Sequence, residues 1–172
     1  GVAICAASTV DANKKGCASV AVTAAAQVVP ATVSIQSITT SGNLNGTVNP
    51  AAVTGAIDVR ANVAPGTETV TKIVVLVGTT RADSQTFSAA QAAELRYAAD
   101  QAAETQSAFP PVLFAINTAK FNATTGAPTW VNGNYNVSVQ LYTSGSATAA
   151  RSTATYQTPL SFTNTDGFVV TT

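Results

Sequence analysis

The sequence predicts an all-β sandwich with one α-helix inserted at about residues 89–107 and a short disulfide hairpin at the N-terminus. Three observations carry this. Apolar and polar residues alternate with a period of two from Val53 onward, one alanine-rich run with a helix cap interrupts that rhythm, and two cysteines flank a turn. At 172 residues the chain is long enough for one good core with a small appendage. It therefore divides into an N-terminal strand and hairpin module over 1–35 and a sandwich body over 36–172.

In the N-terminal module, Cys5 and Cys17 flank Asp11-Ala12-Asn13-Lys14-Lys15-Gly16, residues that favour a tight reversal of the chain. In an oxidising compartment the two cysteines pair, and closing a loop of that size stabilises by about 3 kcal/mol in the chain-entropy model. Two reduced, buried thiols are the other arrangement open to them. A lipid anchor on Cys5 fits poorly, because residues precede it and Ile4 is bulky. The apolar run from Ala18 to Val33, interrupted by polar residues and Pro30, is expected to form two strands with a break.

In the body, Ile57, Val59, Ala61 and Val63 fall on one face of a strand and Asp58, Arg60 and Asn62 on the other, so one face is expected in the core and one in water. Pro65-Gly66 makes a turn. The run from Thr69 to Val77 is apolar on both faces, as a central covered strand is. Gly78 opens a second turn into Arg81 to Phe87. The sharpest alternation runs from Tyr135 to Thr143, and the turn Ser144-Gly145-Ser146 returns the chain as Arg151 to Gln157.

The interruption begins at Ser88-Ala-Ala-Gln91, a capping box, with Phe87 and Ala92 placed for a hydrophobic staple. Strong helix formers fill Ala89 to Ser107, and Phe109-Pro110-Pro111 ends the helix. Its apolar stripe, Ala92, Leu95, Ala99 and Ala102, has only Leu95 as a large residue. The plainer role of such a helix is to cover an open end of its own sandwich; presentation to a neighbouring subunit is the other.

Composition removes most chemistry. There is no histidine and no methionine, while 33 alanines and 27 threonines are present. The serines lack a histidine base and no Ser-x-x-Lys arrangement occurs, so no catalytic residue is expected. Glu94, Asp100 and Glu104 read as a solvated helix face, and no metal or cofactor site is expected. The glycines of Gly42 to Gly46 and Asn122 to Gly126 are ordinary turn residues. Eight basic residues are matched by eight acidic ones and scattered, which argues against nucleic acid as a partner. No strongly apolar stretch is long enough to span a membrane. Asn45, Asn122 and Asn136 head glycosylation-type sequons of the kind a Thr- and Asn-rich chain produces by chance. Trp130 and Tyr142 are candidates for stacking on a sugar, against the plainer reading of Trp130 as a core lid.

The segments Phe114-Ala-Ile-Asn117-Thr118, Trp130-Val-Asn132-Gly133-Asn134-Tyr135-Asn-Val137-Ser-Val139 and Arg151-Ser-Thr-Ala-Thr155-Tyr156 resemble the end of bacterial immunoglobulin-like (Big-type) domains of cell-surface and secreted proteins. Val70 to Gly78 resembles their "valine-x-lysine-x-x-x-x-valine-glycine" strand. The resemblance covers about residues 53–163 and implies an immunoglobulin-like β-sandwich. The inserted helix departs from it, which leaves the strand order open.

The functional expectation is a non-enzymatic extracytoplasmic structural or interaction subunit: part of a surface layer, a filament or pilus-like assembly, or an adhesin module. It would act through strand addition and low-charge lateral contacts with protein partners, either copies of itself or a larger envelope or membrane complex. The candidate contact residues are Gly1, Val2, Ala3, Ile4, Leu95, Phe168, Val169 and Val170. The chain opens Gly1-Val2-Ala3-Ile4 without a methionine, from which removal of a signal peptide is expected, with a secreted, cell-surface or periplasmic destination. The alternatives are an extrinsic accessory subunit on a respiratory or photosynthetic membrane complex and a carbohydrate-binding module.

Overall fold

The computed structural model describes residues 2–11, 13–21, 23–42, 46–105 and 111–165. The chain opens with β1 (Val2–Ala7) and β2 (Lys15–Val20), an antiparallel hairpin in which Cys5 lies opposite Cys17. The body follows as β3 (Thr32–Thr40), β4 (Ala56–Ala64), β5 (Val70–Val77), β6 (Thr80–Thr86), α1 (Ala89–Thr105), β7 (Val112–Asn117), β8 (Gly133–Tyr135), β9 (Val137–Thr143), β10 (Ser152–Thr155) and β11 (Leu160–Phe162).

Two main sheets form. One has the order β3-β4-β7 and the other β10-β9-β5-β6, with every pair antiparallel. In immunoglobulin-like sandwiches the first, second and fifth strands share one sheet, and the third, sixth and seventh share the other. With β6 as an added strand beside β5, this order places the body in that class. β3 lies against β9 and β10 at one margin of the sandwich, and β7 approaches β6 at the other.

The alternation read in the sequence accounts for the core. Ile57, Val59, Ala61 and Val63 of β4 face Ile73, Val75 and Val77 of β5 and Val137, Val139 and Leu141 of β9, all buried. Each large aliphatic side chain so placed contributes about 1.5–3 kcal/mol. In β3 a register shift between Ile35 and Ser37 inserts a bulge, which turns Ile38 onto the core face that Val33 occupies before it.

The solvent face of β4 differs from expectation. Asp58 is 5% exposed, because the chain after β3 folds over it: the Ser41 hydroxyl and the Gly42 amide donate to its carboxylate at 2.9 and 3.2 Å. The strand expected from Tyr135 to Thr143 is two strands. It breaks at Asn136, whose carbonyl accepts from the Gly78 amide at 2.8 Å; β8 then pairs with β11 while β9 pairs with β5 and β10. The second strand expected within Ala18 to Val33 begins only at Thr32, since residues 23–30 form no ladder and Pro30 has no amide to donate. β3 therefore runs through residue 35, where the sequence placed the division between module and body.

One end of the sandwich is closed by aromatic residues. Trp130 meets Phe162 edge-on at 6.4 Å, and Tyr135 lies 4.9 Å from Phe162 on its other side. The Tyr135 hydroxyl donates to the Val131 carbonyl at 2.8 Å, four residues upstream. This is the tyrosine corner of immunoglobulin-like sandwiches, placed just before β9. Beside it, Asn164 accepts from the Gly55 amide and donates to the Thr118 carbonyl, at 3.0 and 3.1 Å, tying the chain after β11 to the start of β4 and the end of β7. Replacing Tyr135 with Phe removes one hydrogen bond and keeps the ring, so urea denaturation is expected to show a loss of about 1 kcal/mol with an unchanged m-value.

Candidate functional site

The N-terminal arm, residues 2–30, stands apart from the body in one respect: every side chain of it that is described is exposed. Ile4 is 62% exposed and Val10 96%, whereas most of the described large aliphatic residues of the body are buried. A two-stranded ribbon without cover is marginal in water, and here the Cys5–Cys17 disulfide holds it. The turn is self-contained: Ser8 Oγ accepts from the Val10 and Asp11 amides at 3.2 Å, and Asp11 Oδ1 accepts from the Asn13 amide at 3.1 Å. The register puts Ile4 opposite Ala18 and Ala6 opposite Gly16 on one face. That face carries no charge. Lys15, Ser19 and the disulfide lie on the other.

The base of the arm is clasped to the body by the turn between β4 and β5. The Val29 amide donates to Thr67 Oγ1 at 3.0 Å and the Thr67 amide returns a bond to the Val29 carbonyl at 2.9 Å. Glu68 accepts from the Ala31 amide at 2.6 Å and pairs with Arg151 Nε at 2.8 Å. Gly66, at φ +56°, is needed twice: its backbone is left-handed, and a Cβ there would collide with the Val29 carbonyl. The Ala31 amide, and after it the Arg151 guanidinium, hold the Glu68 carboxyl below its ordinary value of 4.5.

The other residues singled out in the sequence are dispersed. Leu95 is half-buried and packs against the body's own core, with Ala92 buried beside it. The capping box forms as read, with the Ser88 amide donating to Gln91 Oε1 at 2.9 Å and the Gln91 amide to Ser88 Oγ at 3.3 Å. Trp130 is 4% exposed, so neither face of its ring is open to a sugar. Tyr142 has Lys72 Nζ over its ring at 4.2 Å, and its hydroxyl donates to Gln140. Asn122 and Asn136 are exposed. Gly1, Asn45, Ser107, Phe168, Val169 and Val170 lie outside the described residues. Glu94, Asp100 and Glu104 are exposed on α1, and among the described residues no three His, Cys, Asp or Glu side chains come together as a metal-binding group. Among the described residues no helix is long and apolar enough to cross a membrane.

The clasp escaped the sequence reading. Pro65-Gly66 was legible as a turn, but Glu68 and Arg151 are 83 residues apart and no local pattern joins them. No protein-family model, no curated protein and no solved structure matches the chain. The immunoglobulin-like class therefore rests on strand order and the tyrosine corner, and the candidate site on the exposed arm.

Two outcomes check this description. Replacing both cysteines with Ser is expected to speed amide exchange across β1 and β2 by at least about tenfold, while the denaturation midpoint of the body stays unchanged. Glu68 titrates lower in the folded chain than in the unfolded one, so the stability it adds is complete above 4.5 and is lost as pH falls through its lowered value. The Glu68→Gln variant should lack that part of the acid-side slope in a pH series of thermal melts.

Proposed function

We propose that this protein is a non-enzymatic extracytoplasmic structural or interaction subunit, similar in kind to the bacterial immunoglobulin-like modules of surface and secreted proteins, and that it assembles with copies of itself through its N-terminal arm. The observation that carries the reading is the exposed ribbon: a disulfide-held hairpin with one uncharged apolar face, joined to the body by a specific clasp. An apolar element of that kind costs solubility unless something covers it. A standard protein interface takes about 20–30 residues from each side, and the arm is of that size.

The rest of the surface fits the same role. Charged residues are 9% of the chain, and alanine and threonine are its most abundant residues, which suits broad lateral contacts. The disulfide favours an oxidising compartment. The sandwich supplies a rigid body, and the clasp fixes where the arm leaves it.

The test is sedimentation velocity of the full chain from nanomolar to high micromolar concentration. The wild type is expected to associate, and Ile4→Asp, which puts a charge on the apolar face without touching the body, should move the midpoint of association upward by at least tenfold, or about 1.4 kcal/mol. A wild type that stays monomeric throughout would overturn assembly with itself.

A further inference from the structure

The three-stranded sheet lacks a strand. Immunoglobulin-like sandwiches of the constant type carry a fourth strand beside the fifth in chain order, so that the sheet reads first, second, fifth, fourth. In this chain the fifth body strand in that scheme is β7, and the segment that would supply its neighbour has instead become α1. Among the described residues β7 pairs with β4 alone. The bond from the Thr118 amide to the Gly55 carbonyl sets the phase of the ladder: residues 112, 114 and 116 bond toward β4, and the backbone groups of Leu113 and Ala115 point to the open side. Leu113 is 50% exposed. Phe87, Leu95 and Val112, all half-buried, border the groove between α1 and this edge.

We infer that the open edge of β7 is the acceptor for strand β1 of a second copy of this chain, which would complete the sheet at the place left by α1. The inference rests on assembly through the arm and names its receiving surface. Four observations select this occupant. The two strands match in length, at six residues each. β1 carries no charge, whereas β2 begins with Lys15, a residue type that guards an edge against pairing. Charge is complementary around the contact: the hairpin turn holds Lys14 and Lys15 against Asp11, while exposed α1 holds Glu94, Asp100 and Glu104 against Arg96, and Glu94 borders the groove. The fourth is geometric. The arm leads into β3, at one margin of the three-stranded sheet, and the acceptor lies at the β7 margin, so donor and acceptor are on opposite sides of one body. Contacts of that kind join copies head to tail and extend as a chain or close as a ring.

Amide hydrogen exchange of the full chain, dilute and concentrated, reads the edge directly. Leu113 and Ala115 are expected to exchange freely when dilute and at least about tenfold more slowly in the associated state. Ala115→Pro removes one edge amide and leaves the bonds to β4 in place, so it should fold with the wild-type melting profile and remain monomeric where the wild type associates. If the wild type associates while these two amides stay unprotected, β7 is not the acceptor, although assembly through the arm stands. Full protection in the dilute monomer would identify the chain's own arm as the occupant and overturn the second copy. Should the proline variant fail to fold, the wild-type exchange data decide alone. A wild type that never associates removes this inference together with the self-assembly on which it rests.

Discussion

Burial of two facing apolar columns, on β4 and on β5 with β9, is the constraint on which everything else in the molecule depends. Ile57, Val59, Ala61 and Val63 on one side and Ile73, Val75, Val77, Val137, Val139 and Leu141 on the other leave almost no exposed area. Once those faces meet, strand order fixes which edges lie at the margins. One margin is occupied by β3 with β10 and receives the arm. The other, β6 with β7, is bordered by α1 through Leu95 and Ala98, and among the described residues the far backbone edge of β7 is unpaired.

Much of this was written locally in the chain. Period-two alternation marked β4, β5 and β9, the Ser88–Gln91 box marked the start of α1, and the spacing of Cys5 and Cys17 around a turn marked the hairpin. Alternation reports which way a side chain points and says nothing about what covers it or which strand lies alongside. For that reason Asp58 was assigned to water although a returning turn buries it, and Tyr135 and Val137 looked like one strand although their ladders belong to different sheets. Val28 and Val29 have the composition of a strand, yet their partners are the turn at Thr67 and open water. The clasp and the missing fourth strand are both relations between distant segments, which no window of sequence contains.

The arm and the body are held by different physics. The body depends on burial and needs no covalent link; its buried Asn164 is bonded to Gly55 and Thr118, while Thr39 Oγ1 and Trp130 Nε1 are buried without a hydrogen bond. The described side chains of the arm are all exposed, so its order comes from its own ladder, a cross-link, a self-bonded turn and the bonds of Val29 and Ala31 to Thr67 and Glu68. Besides the stability that Glu68 adds, the clasp sets position: Gly66, Thr67, Glu68 and Arg151 determine where the ribbon leaves the sandwich.

The hairpin also differs from the body in the distance along the chain over which its contacts close. β1 and β2 meet across a short loop, and hairpins of that kind form in about 1–10 μs, whereas pairing β5 with β9 joins residues far apart in the chain, such as Val77 and Val137, and is slower for that reason. During synthesis and folding the apolar ribbon thus exists before the β7 edge has been laid against β4. The ribbon is complete early and the β7 edge late, so the proposed donor is formed before its proposed receiving surface exists.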